Sequence, residues 1–319
     1  MTPAVTTVSE TVPSSGLNPH TGTLAEHIAD LIARTGLRRW QEARFELLLC
    51  RMYPTAELPL LRTAAAATLW LFLVDEHLDP GGPGDDPDYS GWFAAEMETL
   101  SSRTRTTDPL LRAAQALLDE AEPAPEVWRR RFRGHLRDFA AAMHREVVER
   151  AAGHSPPIAR YVEARRVTSG WAILTDFAER PDAESGVLST SAYQRLRQAA
   201  GDVTFGVNDL LSLEREMAAG ERHNLVLIAR TEHGGSLESA RRWADDWVAV
   251  RLRDYLTARA ELRPAGGLAD DRIAAVDALV RGTLDWSRET GRYWAPGPGE
   301  RSDRDGEDGA EALGHGARP

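Results

Sequence analysis

The sequence predicts an all-α protein organised as a single helical bundle. From about residue 18 to residue 295, apolar residues recur at spacings of three and four, which is the period of amphipathic helices. Proline and glycine clusters punctuate this pattern at short intervals, and no segment alternates apolar and polar residues convincingly as a half-buried strand would. Long helices joined by short loops, without a linker or an internal repeat, favour one bundle over several domains.

Ten helices are expected in chain order, each ending near a proline or glycine. Their expected ranges are 22–35, 38–49, 58–79, 91–103, 108–120, 125–152, 157–180, 190–219, 235–262 and 268–294. The two ends of the chain carry few residues that could build a core. We therefore expect residues 1–17 to form a disordered N-terminal tail and residues 296–319, rich in Gly, Pro and charge, a flexible C-terminal tail.

Composition excludes several classes of protein. With 38 Lys and Arg against 49 Asp and Glu, the formal net charge of −11 disfavours nucleic-acid binding. Cys50 is the only cysteine, so the chain has neither an internal disulfide nor a thiolate metal site. We expect a cytoplasmic protein without a membrane span, because no apolar run approaches the required length and the N-terminus lacks a secretory pattern. A homodimer remains open, and no interface is identifiable.

An acidic cluster follows the apolar stretch in LWLFLVDEHLDPGGPG, residues 69–84. Asp75 and Asp79 are four residues apart and project from one face of the expected helix. Two carboxylates in the last turn of a helix repel each other and oppose the helix dipole. By itself the pattern fits a solvated helix end as well as a Mg²⁺ site, which takes one or two protein carboxylates.

A second polar cluster lies in GVNDLLSLEREMAAGERHNLV, residues 206–226. Asn208, Ser212 and Glu216 are spaced by four on one stripe, and Gly220 ends the expected helix. Asn208 and Glu216 are about 12 Å apart along the axis, so side chains of different length can converge above Ser212. A polar surface stripe would explain this cluster alone. Two such clusters together indicate a divalent cation site.

These two motifs resemble those of the bacterial class I terpene synthases, which ionise an isoprenyl diphosphate and steer the resulting carbocation. Asp75-Glu76-His77-Leu78-Asp79 is similar to the aspartate-rich motif, with Glu76 in place of the usual second aspartate. Asn208, Asp209, Ser212 and Glu216 match the Asn-Asp-x-x-Ser-x-x-x-Glu motif in full. The resemblance covers about residues 17–294 and implies an antiparallel helical bundle with a central active-site cavity.

Further segments extend the resemblance. YVEARRVTSG, residues 161–170, is similar to the segment that carries the family's diphosphate-sensing arginine. That arginine corresponds to Arg166, the linker to Ser169, and the effector residue at a helix break to Gly170. The resemblance implies that a backbone carbonyl near Gly170 directs its dipole at the cation.

The C-terminal segment LDWSRETGRYW, residues 284–294, resembles the Arg-Tyr segment that closes on the diphosphate, here Arg292 and Tyr293. Arg215 falls where the family commonly places a basic diphosphate contact. Arginine suits this role because its planar fork matches phosphate oxygens.

The resemblance implies three Mg²⁺ ions and an isoprenyl diphosphate substrate. Asp75, with Asp79 in support, is expected to hold two ions, and Asn208, Ser212 and Glu216 the third. The carbocation also needs an apolar, aromatic cavity that excludes water and stabilises positive charge. The aromatic candidates are Phe72, Trp70, Trp171, Phe205 and Trp286, of which Phe72 and Trp286 fit the family spacing best.

The expected reaction is cyclisation to a terpene hydrocarbon or alcohol with release of diphosphate. Farnesyl diphosphate is the favoured substrate and geranylgeranyl diphosphate the next. Alternatives are a chain-elongating prenyl transferase, which uses two aspartate-rich motifs, and a non-catalytic helical binding protein. We interpret DDPD at 85–88 as a turn and not as a second metal motif, because its prolines and the preceding glycines oppose a helix.

Overall fold

The computed structural model describes residues 2–14, 16–35, 38–101, 104–263 and 266–290. These residues form thirteen α-helices and three short 3₁₀ segments, with no strand among them. The α-helices are α1 Pro3–Thr11, α2 Thr21–Thr35, α3 Phe45–Met52, α4 Leu58–Leu78, α5 Pro87–Thr99, α6 Pro109–Glu120, α7 Glu126–Ala151, α8 Ile158–Thr168, α9 Trp171–Glu179, α10 Ser191–Ala219, α11 Leu225–His233, α12 Leu237–Leu262 and α13 Leu268–Glu289. The predicted all-α fold is confirmed.

Local capping chemistry sets many of these boundaries. The Asp108 side chain accepts the amide of Leu111 at 2.9 Å just before α6, and Pro109 occupies the first helical turn. Thr190 caps α10 in the same way. Gly220 ends α10 with φ +80°, a left-handed conformation that glycine adopts without a steric cost.

The helices differ from the expected ranges in several places. The expected helix 157–180 is divided into α8 and α9, and the expected helix 38–49 is a 3₁₀ segment, Arg38–Ala43, followed by α3. Helix α5 begins at Pro87, inside the segment 85–88 that was expected to be a turn. Asp86 caps it by accepting the amide of Asp88 at 2.8 Å, and a proline in the first helical turn favours a helix start. The short helix α11 was not expected at all; it follows the cap residue Asn224.

The expectation of a disordered tail over residues 1–17 is wrong, because Pro3–Thr11 forms α1 and packs against α12 and α13. Val5, Val8 and Val12 are buried and follow the helical period. The carboxylate of Asp245 on α12 accepts the amide of Ala4 at 3.1 Å, at the helix end where an anion stabilises most. The predicted tail 296–319 lies outside the described residues.

A continuous hydrophobic core runs through the bundle from α1 to α13. Helix α10 is central: it packs against α8, α11, α12 and α13. Helix α4 packs against α2, α3, α6, α7 and α9. These two helices carry the two predicted metal-binding motifs, and their arrangement positions the site described below.

Helix α4 is long and apolar enough to cross a membrane by length and composition. The expectation that no apolar run approaches the length of a membrane span is therefore wrong. Its residues Leu61, Leu69 and Val74 are buried in the core, and more than half of its most apolar stretch is covered by the protein. The packing explains its composition and gives no support for a membrane span.

Candidate active site

One cavity, of about 170 Å³, is lined by residues from α3, α4, α7, α8, α9, α10 and α13. Polar side chains come from the C-terminal turns of α4 and α10, and apolar ones from the preceding turns. The predicted site residues that line it are Phe72, Asp75, Asp79, Ser169, Gly170, Trp171, Phe205, Asn208, Arg215, Glu216 and Trp286. The tertiary structure thus brings both predicted motifs to one cavity.

The first wall is the C-terminal end of α4. Asp75 and Asp79 both line the cavity and lie about one helical turn apart. Arg150 from α7 donates to the carbonyl of Leu78, the last residue of α4, and so places a positive charge where the helix dipole favours one. This cation offsets the unfavourable gathering of carboxylates at a helix C-terminus.

Glu76 lies apart from the other two acids. Its Oε1 accepts a hydrogen bond of 2.8 Å from the indole of Trp40, and it is absent from the cavity lining. Glu76, which replaces the usual second aspartate of the motif, therefore faces Trp40 and not the cavity.

The second wall is the C-terminal half of α10, where Asn208 and Glu216 line the cavity. Glu216 is buried and accepts a hydrogen bond of 2.8 Å from Asn224. Burial, reinforced by the negative charge of Asp209, raises the pKa of Glu216 to about 6, although Arg165 and Asn224 oppose the shift. A cation beside this carboxylate would favour its ionised form.

Ser212 occupies the middle of the same stripe and differs from its neighbours. Its side chain is fully buried, and its hydroxyl donates to the backbone carbonyl of Asn208 at 2.8 Å. It does not line the cavity. In this structure Ser212 lies beneath the other two residues of the motif.

Asp209 is the centre of a buried network behind the second wall. It accepts hydrogen bonds from the hydroxyl of Tyr161 and, at 3.0 Å, from the amide of Leu225 and from Nη2 of Arg165. The same Nη2 of Arg165 donates to Oδ1 of Asn208 at 3.0 Å. The network fixes Asn208 and joins α8, α10 and the start of α11.

The two neighbouring arginines of α8 lie on different sides of the helix, and the one that lines the cavity is not the one that the resemblance implied. Arg165 lines the cavity. Arg166, expected to contact the diphosphate, forms a two-contact ion pair with Asp202 at 2.8 Å and lines a cleft on the other side of α8 and α10. The contact of Arg166 with a diphosphate stays a prediction. In this structure its side chain lies away from the cavity, because consecutive helical residues point about 100° apart and the packing of α8 turns Arg165 inward.

Gly170 separates α8 from α9 and lines the cavity, as expected for a residue at a helix break. Its φ of +69° is left-handed, a conformation that favours glycine, and a Cβ there would lie 2.7 Å from Cδ1 of Leu71 and displace that side chain. Its carbonyl accepts the amide of Leu174 at 3.0 Å. The Gly170 carbonyl is therefore part of the hydrogen bonding of α9, and the expected cavity-directed carbonyl near Gly170 stays a prediction.

An aromatic cluster forms the apolar part of the cavity. Phe72 lies 4.9 Å from Phe45 and 6.2 Å from Trp286 between ring centroids, and the Trp286 indole donates to the carbonyl of Ala43 at 2.6 Å. Trp70 is the exception among the aromatic candidates. Its indole donates to Leu110 at 3.0 Å, and the side chain packs in the core outside the cavity.

Several lining residues escaped the sequence-based analysis. The main ones are Phe139, Glu146, Arg165, Glu221 and His223. Phe139 and Glu146 are seven residues apart on α7, so a helical-face analysis of α7 could have paired them. Burial raises the pKa of Glu146, which accepts a hydrogen bond of 2.8 Å from Thr168. The polar character of α7 gave no signal that this face is turned inward.

The donor set of the two walls fits hard cations. Within the described ranges, no three His, Cys, Asp and Glu side chains cluster as a self-contained metal site. The oxygen donors on the two walls are the carboxylates of Asp75 and Asp79 on one side and the amide of Asn208 with the carboxylate of Glu216 on the other, which are ligand types that hard cations prefer. Arg292 and Tyr293, predicted to close the site, lie outside the described residues.

Comparisons with known proteins agree with this architecture. The profile of the family described as "Terpene synthase family 2, C-terminal metal binding" matches residues 66–254. Pristinol synthase of Streptomyces pristinaespiralis is 32% identical, with 87% of this chain and 82% of its own length covered. (+)-T-Muurolol synthase ((2E,6E)-farnesyl diphosphate cyclizing) of Roseiflexus castenholzii is 29% identical, with 88% and 91% covered.

Among solved structures, hedycaryol synthase in complex with HEPES superposes with a TM-score of 0.70 at 26% sequence identity, covering 86% of this chain and 96% of that one. The helical fold, the matched profile and the similar enzymes lead to one assignment. The chain belongs to the bacterial class I terpene synthases, carbon–oxygen lyases that act on isoprenyl diphosphates.

Proposed function

We propose that this enzyme is a Mg²⁺-dependent cyclase of (2E,6E)-farnesyl diphosphate, with geranylgeranyl diphosphate as the next candidate. The observation that carries the proposal is that Asp75, Asn208 and Glu216, from two different helices, line one cavity whose deeper part is aromatic. The similar muurolol synthase is described as cyclizing farnesyl diphosphate, which supports the choice of substrate.

Magnesium fits the oxygen donors of the two walls. Asp75, with Asp79 beside it, would hold ions from the α4 side, and Asn208 and Glu216 from the α10 side. The number of three Mg²⁺ ions follows the family resemblance. Ser212 would join the ligands by turning its hydroxyl from the Asn208 carbonyl toward the cavity. When bound, the ions act as Lewis acids that offset the charge developing on the departing diphosphate.

Arg165 and Arg215 are the cavity's own arginines for the diphosphate, and their forked donors match its oxygens. Arg292 and Tyr293 remain proposed contacts from the family resemblance. Arg166, paired with Asp202, takes no part in this assignment. The proposed diphosphate contact therefore moves by one residue from the position that the sequence implied.

The aromatic part of the cavity protects and stabilises the carbocation. Phe72, Trp171, Phe205 and Trp286 exclude water and present ring faces that stabilise a carbocation by about 0.5–2 kcal/mol each. The isoprenyl carbocation, folded against these rings, reacts with its own double bonds before water reaches it. This environment favours cyclisation over simple hydrolysis.

The test is incubation of the purified protein with Mg²⁺ and geranyl, farnesyl or geranylgeranyl diphosphate, followed by gas chromatography and mass spectrometry of the extract. We expect a cyclic C15 product from farnesyl diphosphate and none when EDTA is added. Longer diphosphates as products would favour a chain-elongating transferase. No product with any of the three substrates would favour a non-catalytic role and overturn the proposal.

A further inference from the structure

We propose that Trp171 is the partition that limits the depth of the cavity, and that Gly201 behind it determines which length of isoprenyl chain the enzyme accepts. This inference rests on the proposed function and deepens it. It assigns the choice between C15 and C20 substrates to two residues, one of which does not line the active cavity.

Trp171 lies between two spaces. One is the active cavity, and the other is an outer cleft of about 740 Å³ bounded by α8, α9, α10 and α12. Among the residues that the structure describes, Trp171 is the one that lines both. The outer cleft is charged, with Arg166, Arg197 and Asp202 in its wall. The indole therefore separates an apolar space from a wet, charged one.

Two contacts hold the indole in place. Its Nε1 donates to the backbone carbonyl of Arg197 at 2.8 Å. Its five-membered ring packs against Gly201, where an added Cβ would approach Cδ1 to 2.7 Å and Nε1 to 3.0 Å. Any larger residue at 201 must displace the indole or α10, because real Cβ atoms do not come so close.

The backbone gives no other reason for glycine at this position. Gly201 lies inside α10, where glycine costs about 1 kcal/mol relative to alanine. It is not among the glycines with positive φ, so an L-residue could adopt its backbone conformation. The remaining reason is space for the indole of Trp171.

The packing surface of the indole on α10 lies toward the N-terminus of that helix from the proposed metal ligands. Gly201 precedes Asn208 by seven residues, which is about 10 Å along α10. In this proposal, a substrate whose diphosphate is held near Asn208 extends its tail along α10 toward Trp171. The indole limits how much chain fits, and removing it would join the cavity to the larger outer cleft.

The experiment measures substrate preference in wild type, Trp171→Leu, Trp171→Phe and Gly201→Ala. Each protein receives equimolar geranyl, farnesyl and geranylgeranyl diphosphate, and the products are quantified together. We expect Trp171→Leu to raise the ratio of C20 to C15 turnover at least tenfold. Gly201→Ala, which presses the indole into the cavity, should raise the ratio of C10 to C15 turnover at least fivefold. Trp171→Phe, which keeps a ring in the partition, should shift either ratio less than threefold.

Gly206→Ala is the matched control. It makes the same change in the same helix, and its Cβ would meet Val248 at 2.7 Å and Trp247 at 3.0 Å, both on α12. It therefore tests crowding between α10 and α12, including crowding passed to Phe205 through Trp247, without contact to Trp171. Melting temperatures by circular dichroism report any loss of folding, and calorimetric binding of farnesyl and geranylgeranyl thiodiphosphates reports chain-length preference without turnover.

The outcomes separate the two proposals. Wild-type protein that turns over none of the substrates refutes the proposed function and, with it, this inference. Active wild type with unchanged ratios in both Trp171→Leu and Gly201→Ala overturns the partition alone. A ratio change in Gly206→Ala as large as in Gly201→Ala would also overturn it, because general crowding would then explain the effect.

Discussion

The guanidinium of Arg165 donates to the side-chain oxygen of Asn208 at 3.0 Å, and through the same nitrogen to the buried carboxylate of Asp209. A residue from α8 thus holds the proposed metal ligand of α10. The contact places a permanent positive charge at the edge of the cavity. Arg165 is positioned both to orient Asn208 and to meet a diphosphate.

Exchanging each arginine of α8 for lysine distinguishes their roles. Lysine keeps the charge but loses the fork that bridges Asn208 and Asp209. We expect Arg165→Lys to lower kcat/KM for farnesyl diphosphate at least tenfold, and Arg166→Lys to lower it by less than threefold. Steady-state kinetics on both variants provides the measurement. A larger loss in Arg166→Lys would restore Arg166 to the diphosphate site and remove our assignment of Arg165.

The proposed metal ligands of α10 predict a loss of activity without loss of fold. Asn208→Ala and Glu216→Ala should each reduce turnover at least a hundredfold, because the ions that neutralise the leaving group are no longer held. Calorimetric titration with Mg²⁺ and inorganic pyrophosphate should show weakened binding, while the far-ultraviolet circular dichroism stays helical. Unchanged activity in either variant would contradict the metal assignment.

The raised pKa of Glu216 makes a prediction about pH. Burial raises this pKa from 4.5 to about 6 in the metal-free protein, so the folded state holds its proton more tightly than the unfolded state does. The group therefore lowers the free energy of unfolding as pH rises from about 4.5 to about 7, by roughly 2 kcal/mol at 1.36 kcal/mol per pKa unit.

Urea denaturation of wild type and Glu216→Gln in EDTA, at pH 4.5 and pH 7, isolates this contribution as the difference between the two proteins. Adding Mg²⁺ should reduce the difference, because a cation favours the ionised carboxylate. If the difference between the proteins is the same at both pH values, the carboxyl is not the buried acid described here.

Phe72 should govern products more than metal binding. It lies one turn before Asp75 and contacts Phe45 and Trp286 in the aromatic part of the cavity. We expect Phe72→Ala to redistribute the terpene products and to leave the affinity for Mg²⁺ and pyrophosphate within threefold. Product analysis by gas chromatography and the calorimetric titration test both statements. An unaltered product profile would remove Phe72 from the reacting cavity.

Arg150 connects the two walls of the site. Its guanidinium donates to the carbonyl of Leu78 and to the carboxylate of Asp85, at 2.9 Å, in the loop after α4. It also contacts the carboxylate of Glu221, in the loop after α10, at 3.4 Å. Burial by itself would raise the pKa of Glu221. Hydrogen bonds and charge from His223, together with the charge of Arg150, outweigh burial and lower this pKa to about 2, so the carboxylate stays ionised. Arg150, whose side chain is 13% exposed, thus links α4 to the loop after α10.

Removing this link should weaken the metal site. We expect Arg150→Met to reduce the affinity for Mg²⁺ and pyrophosphate about tenfold and Arg150→Lys to recover part of the loss. The control is Arg242→Met, because Arg242 forms an exposed pair with Glu238 on α12, and such pairs contribute little. Equal affinities in Arg150→Met and wild type would show that the walls keep their spacing without the link.

The sequence alone determined the all-α class, most of the helices and the chemistry of the two motifs. Residues four apart in a helix share a face whatever surrounds the helix, so Asp75 with Asp79, and Asn208 with Glu216, were predictable as pairs. The break at Gly170 was likewise implied by the family resemblance, and the structure has it. The apolar stripe of Val5, Val8 and Val12 was present in the sequence but was interpreted as a tail.

Tertiary structure decided which way each helix turns and which side chains meet. It placed Arg165 in the cavity in place of Arg166, left Trp70 outside, and put Trp171 against Gly201. These choices depend on the rotation of α8, α4 and α9 about their axes, which is set by packing between residues far apart in the chain. Local spacing fixes what a helix can present on one face, but only close packing with its neighbours selects the face that is turned to the substrate.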